Sequence, residues 1–209
     1  RDLAGRTVPF VVAEVRPQAT GIVEKRLFEE GGLVKEGQVL YQLDDASYRA
    51  ARAAAAANLA RAQASARSAR LAAERSTELV AQKLVAQQDH ERTMAAAAEA
   101  AADVAAYRAA LQAADVNLGY TRITAPISGR AGKSGVTQGA LVTANQENSL
   151  VTVQQLDPIY VDLSQSASEL LQLRKDVESG RVEQGRVEAK ILLEDGSPYT
   201  HAGVLEFTD

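Results

Sequence analysis

The segment from 129 to 134 combines glycines, a lysine and a hydroxyl group in an order that could bind phosphate. A Walker A loop has the pattern G-x-x-x-x-G-K-[ST], in which backbone N–H groups and the lysine surround the phosphates of a nucleotide. Gly-Lys-Ser at 132–134 supplies the last three positions, but the first glycine would have to stand where the sequence has Ile127. The segment is therefore either an altered nucleotide site or a stretch whose glycines and lysine serve the fold.

Few other side chains have the types and spacing of a reactive site. His90 and His201 are the only histidines and lack paired spacing, so the sequence does not favour a metal centre. Cysteine is absent, which excludes disulfides and thiolate chemistry within this sequence. A net charge of −4 and few aromatic residues argue against a nucleic-acid surface. Because no nucleophile, base and orienting residue come together, we expect neither a cofactor nor enzymatic activity.

The residue pattern of the chain changes twice along its length. Short apolar or alternating runs broken by glycine and proline predict strands in 1–44 and again in 118–163. Between them, residues 46–116 are rich in alanine and contain no glycine or proline, which strongly favours helix. The sequence therefore predicts a mixed fold in which a helical segment interrupts a strand-rich one.

The C-terminal region carries signals for a short helix and further strands. Ser166 and Glu169 have the spacing of a capping box, and Gly180 would close the short helix that follows them. Asp195-Gly196 is a plausible turn between two strands. We expect Asp157-Pro158 to begin a strand of this region.

The alanine-rich segment is too long for one globular helix, and residues 80–88 interrupt its pattern. We expect two helices, at 46–80 and 87–117, each on the order of 50 Å long at a rise of about 1.5 Å per residue. Asp44-Asp45 would cap the first. Each helix carries a heptad repeat, at Leu59, Ala62, Ala66, Ala69, Ala73, Ser76 and Val80 in the first and at Ala97, Ala100, Val104, Tyr107, Leu111, Ala114 and Leu118 in the second.

These repeats predict an antiparallel coiled-coil hairpin. The first helix is mostly basic and the second mostly acidic, so weak attraction between them would add to the packing. A disordered alanine-rich linker is the alternative, but such a linker has no reason to keep a heptad seam.

An internal repeat links the two strand-rich segments. Glycine, lysine, an apolar residue, glycine, leucine and valine recur at the same offsets in 21–34 and 129–142, and Gln-Leu-Asp occurs at both 42–44 and 155–157. We expect the two half-motifs to clasp each other into one small β-sandwich, with the helical hairpin growing between them.

The repeat gives the glycines of the opening segment a structural role. Lys25 and Lys133 would be surface charges on strands, and the phosphate interpretation would need two altered loops at equivalent places. We expect structural turn glycines in both halves, at Gly21, Gly31, Gly129 and Gly139, with Gly31 and Gly139 free to adopt positive φ.

The half-motifs resemble the lipoyl/biotinyl carrier domain, and the whole chain resembles a known family. The segments that carry the resemblance are "GRTVPFVVAEVRPQATGIVEKRLFEEGGLVKEGQVLYQLD", "NLGYTRITAPISGRAGKSGVTQGALV" and "TVQQLDPIYVDLSQS". With a coiled-coil hairpin between the halves, they resemble the periplasmic adaptors, or membrane fusion proteins, of tripartite efflux pumps of the resistance-nodulation-division (RND) class, AcrA/MexA-like branch.

The resemblance implies an elongated, multidomain α+β architecture. Residues 18–45 and 118–153 would form the two lipoyl halves, and 46–117 the hairpin. Residues 1–17 and 154–209 would form part of a β-barrel that includes the short helix. The family's membrane-proximal domain and lipidated N-terminal cysteine do not occur in this sequence.

The resemblance also implies a function and partners. It implies a non-enzymatic adaptor in the periplasm, anchored to the inner membrane by a lipid, that links an inner-membrane RND drug/proton antiporter to a TolC-type outer-membrane channel. Copies would associate side by side into a ring, a hexamer by the family's pattern.

Two alternatives remain open. The chain could serve an ATP-driven exporter instead, or be a biotin or lipoate carrier subunit. A carrier presents a modified lysine at the turn between its halves, but no lysine occurs between Lys35 and Lys83, so the sequence disfavours this alternative.

The family's hairpin tip carries an arginine, a leucine four residues later and a serine seven residues after that. Arg75 and Leu79 match the first two positions, but Ala86 stands at the third. The predicted docking surface for the outer-membrane channel consists of Arg75, Leu79, Gln82, Lys83, Leu84, Val85 and Ala86. Alternatively, Leu79 packs inside the coiled coil.

Overall fold

The structure is a computed structural model that describes residues 3–163, 188–193 and 196–204. The predicted helix from Ser166 to Gly180 lies outside the described residues, as does Asp195 of the predicted turn. Backbone contacts divide the chain into two compact units, Val8–Tyr160 and Arg1–Thr7 with Val161–Asp209. The domain boundaries at 17/18 and 153/154 that the resemblance implies remain a prediction.

Ten strands and two long helices are assigned in the described part of the chain. In order, they are β1 (Gly5–Val15), β2 (Gly21–Arg26), β3 (Leu33–Val34), β4 (Val39–Leu43), α1 (Ala46–Ala81), α2 (Gln87–Gly119), β5 (Arg122–Thr124), β6 (Gly129–Ala131), β7 (Leu141–Val142), β8 (Val151–Leu163), β9 (Glu188–Ala189) and β10 (Gly203–Val204). One sheet has the order β5-β4-β2-β7, another β1-β8-β6-β3, and β9 pairs with β10. Asp157-Pro158 lies within β8 rather than at the start of a strand.

The two half-motifs exchange strands, as the internal repeat predicts. Strand β2 of the first half pairs with β7 of the second, with Gly21 opposite Val142. Strand β3 of the first half pairs with β6 of the second, with Val34 opposite Gly129. Because each half supplies one strand to each pair in the same register, neither half can complete a sheet alone.

Hydrogen bonds outside the strands repeat the same exchange. The Glu36 N–H donates to Ser128 Oγ at 2.9 Å, and the Ala144 N–H donates to Thr20 Oγ1 at 3.0 Å. In each case a hydroxyl group just upstream of the repeat's first glycine accepts from the turn of the opposite half. The hydroxyls therefore hold the clasp closed from both sides.

The recurrence of Gln-Leu-Asp has a different explanation. The Leu40 carbonyl accepts from the Leu27 N–H at 2.8 Å, and the Leu150 carbonyl accepts from the Gly135 N–H at 2.7 Å. If Leu40 corresponds to Leu150, then residues 42–44 correspond to residues 152–154. The Gln-Leu-Asp at 155–157 stands three positions later, so the two copies are not equivalent in the structure. The shared tripeptide is not part of the structural repeat.

Both sheets bury one face in a common core. Inward side chains from β2, β4 and β7 meet those from β3, β6 and β8 there, and Leu40, Leu43 and Leu150 are fully buried. Complete burial of a Val or Leu side chain contributes about 1.5–3 kcal/mol. This shared core is the main reason that the halves cannot separate.

The helical hairpin replaces the turn of a β-hairpin. Strand β4 pairs antiparallel with β5, with Gln42 opposite Arg122, and α1 and α2 leave from the ends of that pair. Every predicted seam position of both helices is buried or half-buried, whereas neighbours such as Ala60 and Arg61 are exposed. The coiled-coil prediction is therefore confirmed. No helix in the described ranges is both long and apolar enough to cross a membrane.

Few ion pairs contribute to the expected attraction between the helices. Within the described residues, only the ion pair of Arg52 with Asp115 joins α1 to α2. Other basic residues bond within one turn of their own helix, as Arg70 does to Glu74 at 3.1 Å. The small side chains of the seam, rather than opposite charges, hold the helices together.

Candidate functional site

The opening segment has the geometry of a strand and its loop, not of a phosphate site. Gly129 begins β6, and a Cβ there would overlap the carbonyl oxygen of Gln154 on β8. The Ser134 N–H, which a phosphate would need, donates to Glu30 Oε1 at 3.0 Å. Lys133 is exposed but follows β6 instead of lying on a strand, and no helix begins here, whereas a phosphate loop opens one.

Ser134 instead anchors a buried tyrosine. The Tyr41 hydroxyl lies 2.6 Å from Ser134 Oγ and donates to the Leu150 carbonyl at 3.0 Å. Burial raises the pKa of Tyr41, and the hydrogen bond with Ser134 opposes this shift. Phe28 packs edge-on against the Tyr41 ring, with centroids 5.3 Å apart. The hydroxyl of the phosphate-like motif therefore ties the two halves together.

The four predicted turn glycines divide into two groups. Gly31 and Gly139 adopt φ of +76° and +86°, the left-handed region that favours glycine. Gly21 and Gly129, in contrast, begin strands β2 and β6 instead of forming turns. For Gly129 the close approach of β8 gives the reason, since any side chain would displace the neighbouring backbone.

Each histidine contacts a hydroxyl group, His90 that of Ser76 and His201 that of Thr200. His90 lies in the hairpin seam, with Nδ1 3.3 Å from Ser76 Oγ across the two helices. In the ranges that the structure describes, no group of three or more His, Cys, Asp or Glu residues could hold a metal ion. His90 therefore joins the two helices near their tip.

The position of a carrier's lysine is occupied by the start of α1. Asp44 Oδ1 accepts from the Ala46 N–H at 3.0 Å, which caps the helix from outside. Asp45 stands at the N-cap without a side-chain cap bond and pairs with Arg49 at 2.9 Å. The two carboxylates serve the helix start, and no amine is present to carry a cofactor.

The hairpin tip has a defined backbone structure. The Lys83 N–H donates to the Val80 carbonyl and the Leu84 N–H to the Leu79 carbonyl, both at 2.9 Å. This is the Schellman pattern, in which the residue after the helix end is usually glycine in the left-handed region. Lys83 occupies that position with φ of +58°. The sequence gives no signal for it, because the usual glycine is missing.

The second helix begins without a side-chain cap. Ala86 is the N-cap residue, with φ of −72° and ψ of 147°, and its side chain can accept no hydrogen bond. Its carbonyl accepts from the Asp89 N–H at 3.1 Å and from the His90 N–H at 3.2 Å. A serine at this position, as in the tip motif described above, could accept from the Asp89 N–H. The position of Ala86 is therefore one at which a serine would cap α2.

The tip presents apolar and basic side chains to solvent. Leu79 is 40% exposed and Leu84 65%, and Val80 rather than Leu79 occupies the seam. Arg75 is exposed one turn before Leu79 and has no ion-pair partner among the described residues. Gln82, Lys83 and Ala86 are also exposed, and Val85 is half-buried. The structure thus brings the predicted tip residues together at one end of the hairpin.

Comparison with known proteins identifies the fold's family. The family model described as "RND MFP, barrel-sandwich hybrid domain" matches residues 11–154, and that described as "RND MFPs, beta-barrel domain" matches residues 158–209. The solved chimera of MacA and MexA, which contains the Pseudomonas aeruginosa MexA α-hairpin domain, covers 98% of this chain and 65% of its own, with a TM-score of 0.67 and 27% identity.

Curated relatives agree with the family models. The multidrug efflux pump subunit AcrA of Escherichia coli K12 is 44% identical over 210 residues, which cover 100% of this chain and 53% of AcrA. The antibiotic efflux pump periplasmic linker protein ArpA of Pseudomonas putida is 46% identical over 211 residues, again 100% of this chain and 53% of ArpA. The chain thus spans about half the length of the curated relatives it matches. Since the first family model covers most of its residues, the chain belongs to the RND membrane fusion protein (MFP) family.

Proposed function

We propose that this chain forms the hairpin and sandwich of a non-enzymatic periplasmic adaptor. The adaptor links an inner-membrane RND drug/proton antiporter to a TolC-type outer-membrane channel in a multidrug efflux pump. Membership of the RND MFP family supports the transporter class, and the names of AcrA and ArpA support a role in efflux and a periplasmic location. A lipid on an N-terminal cysteine outside this sequence anchors it to the inner membrane.

The observation that carries the proposal is the hairpin tip. Leu79, in the last turn of α1, and Leu84, in the turn that follows, are both exposed, and two backbone hydrogen bonds fix this turn between α1 and α2. Burying an apolar side chain against a partner is favourable by about 25 cal/mol per Å². A fixed turn also loses little conformational entropy on binding. We propose that the tip from Arg75 to Ala86 is the channel-docking surface.

A Leu79→Asp variant tests this docking. It introduces a charge into the proposed contact, so in the full-length protein we expect lost co-purification with the channel and lost drug resistance. Leu71→Asp is the matched control, because Leu71 is 42% exposed on the same helix, about 12 Å nearer the base at 1.5 Å per residue. Normal channel binding and resistance in Leu79→Asp would contradict the docking surface.

Copies of the adaptor form a ring in this proposal. A tube of hairpins would meet the channel end to end, and six copies follow from the family's pattern. Cross-linking of the full-length protein in membranes, followed by measurement of the cross-linked mass, tests the number of copies.

The two alternatives have less support. An adaptor for an ATP-driven exporter would share the fold, but the family models that match are those of RND systems. A carrier subunit would need a lysine at the turn that directly follows β4, where Asp44 and Asp45 precede α1 instead. A mass spectrum that shows biotin or lipoate bound covalently would reverse this judgement.

A further inference from the structure

The chain joins the helical hairpin to the sandwich at two neighbouring points. It leaves β4 at Leu43 to enter α1, and it returns from α2 to β5 at Arg122. Strands β4 and β5 are paired side by side, so the two connections stand next to each other at one end of the hairpin, its base. Two adjacent connections fix where the hairpin stands, but they do not prevent it from tilting about the line that joins them. A further contact is needed to fix its direction.

One side chain of the hairpin makes such a contact. Tyr48, in the first turn of α1, is half-buried and packs against the core of the sandwich. Its hydroxyl donates to the Thr20 carbonyl at 2.8 Å. Within residues 3–163, 188–193 and 196–204, no other side chain of either helix is hydrogen-bonded to a segment that does not directly adjoin the hairpin. The contact of Tyr48 is therefore the bond that can resist a tilt.

The acceptor of this bond lies in a fixed part of the clasp. Thr20 stands directly before β2, and its hydroxyl accepts from the Ala144 N–H at 3.0 Å. Ala19, the residue before it, is buried in the core. Strand β2 is the neighbour of β4 on the side away from β5. Tyr48 thus connects α1 to a third segment of the sandwich, which both halves of the repeat hold in place.

A small tilt at the base becomes a large displacement at the tip. Helix α1 has 36 residues and is about 54 Å long at a rise of about 1.5 Å per residue, so a tilt of about 5° moves the tip by about 5 Å. The same tilt moves the first turn of α1, about 5 Å from the base, by about 0.4 Å. That is most of the range of about 2.5–3.0 Å in which O–H···O hydrogen bonds form. An intact bond between Tyr48 and Thr20 therefore limits the tilt to a few degrees.

We propose that Tyr48 is a positioning residue that fixes the direction of the hairpin and so the place at which its tip meets the channel. The inference rests on the channel docking proposed above. Tyr48 lies at the opposite end of α1 from Leu79, so it acts on docking only through the direction of the helices. A tip that samples many positions spends less time in the one that docks, and its apparent affinity falls by the same fraction.

Distances between spin labels test the positioning, because this sequence has no cysteine of its own. In the full-length protein, labels would be attached to Ala81→Cys at the tip and to Gln138→Cys in the turn before β7, both at exposed positions. Tyr48→Phe keeps the aromatic ring and removes only the hydroxyl. We expect it to broaden the distribution of distances between the labels by about 2–5 Å, as the tilt worked out above implies.

Tyr107→Phe is the matched control for the label measurement. Tyr107 lies in the seam of α2, about 18 Å from the base at 1.5 Å per residue, so the same atom is removed from the hairpin without a change at the sandwich. Its distribution of distances should equal that of wild type. An unchanged distribution in Tyr48→Phe, or the same broadening in Tyr107→Phe, would overturn the proposal.

Hydrogen exchange separates positioning from a general loss of stability. The amides of Val23 and Leu43 donate to Ala140 and Thr121 within the sandwich, and their exchange should be the same in Tyr48→Phe and wild type. Faster exchange of these amides in Tyr48→Phe would mean that the variant loosens the sandwich itself, which would overturn the positioning role.

Co-purification with the channel completes the test. With the tip in the docking position half as often, full-length Tyr48→Phe should retain about twofold less channel than wild type. A broadened distribution with unchanged co-purification would overturn the link to docking. The label measurement contains no channel, so its failure, together with lost channel binding in Leu79→Asp, would remove the role of Tyr48 and leave the docking surface standing.

Discussion

A serine at residue 86 should stabilise the tip of the hairpin by a predictable amount. Ala86 is the N-cap of α2 and already has the extended backbone that a capping residue needs, with φ of −72° and ψ of 147°. In Ala86→Ser the hydroxyl can accept from the Asp89 N–H, which now bonds only to the Ala86 carbonyl at 3.1 Å. Replacing alanine by a capping residue stabilises a helix by about 1 kcal/mol.

Hydrogen exchange at the tip is the appropriate assay. The two compact units need not unfold together, so a single global free energy of unfolding would hide the change. A local gain of 1 kcal/mol should slow exchange of the Asp89 amide by about fivefold. Ala95→Ser, exposed inside α2, is the control and should not slow it, because serine has a lower helix propensity than alanine. Equal exchange of the Asp89 amide in wild type and Ala86→Ser would refute the capping argument.

Three further substitutions test other parts of the structure. Lys83→Gly should stabilise the turn by about 1 kcal/mol, because glycine avoids the cost of the left-handed region, and slower exchange of the Leu84 amide would show it. Gly129→Ala should destabilise the sandwich by about 2–4 kcal/mol, because its methyl group meets the β8 backbone; an unchanged denaturant midpoint would contradict this. Tyr41→Phe should cost about 0.5–1.5 kcal/mol, because the Leu150 carbonyl loses one of its two donors and keeps the Gly135 N–H. Because the pKa of Tyr41 is raised in the folded chain, the tyrosine ionises more readily in the unfolded chain as pH rises above 10. The folded state therefore keeps its full stability below pH 10 and loses it progressively at higher pH, so wild type should lose more stability than Tyr41→Phe in alkaline denaturation.

The elements that a simple period or repeat specifies could be predicted from the sequence. The heptads locate the seam from Leu59 to Val80 because burial at a helix interface follows the helical period. The repeat predicts the clasp because equivalent residues adopt equivalent registers, as at Gly21 and Gly129. Both signals are local or depend on self-similarity, so one sequence suffices to find them.

Features that depend on the local backbone geometry or on contacts between distant segments could not be predicted from the sequence. The opposite charges of the helices suggested ion pairs across the hairpin, but a residue one turn away is a nearer partner than the other helix, as for Arg70 and Glu74. Lys83 in the left-handed region breaks the usual preference for glycine. The contact of Ser134 with Tyr41 joins distant parts of the chain, and no pattern in either segment indicates it.

The phosphate-like segment shows how a short motif can mislead. Its Gly-Lys-Ser run has the composition of a nucleotide site, but the Gly132 N–H donates to the Thr152 carbonyl at 2.8 Å and Lys133 is an exposed surface charge. Gly129 allows β8 to approach closely because it has no Cβ, and Ser134 forms hydrogen bonds with Tyr41 and Glu30. The internal repeat was the better guide, because it extends over both halves of the sandwich.

Photo-cross-linking from the hairpin tip tests the central claim most directly. A photoreactive amino acid at Leu84, which is 65% exposed, would be incorporated into the full-length protein in cells, with the same residue at Leu71 as the control. The account predicts that the product from residue 84, identified by mass spectrometry, contains an outer-membrane channel protein and that the product from residue 71 does not. Cross-links from residue 84 only to inner-membrane proteins or to other copies of this chain would contradict it.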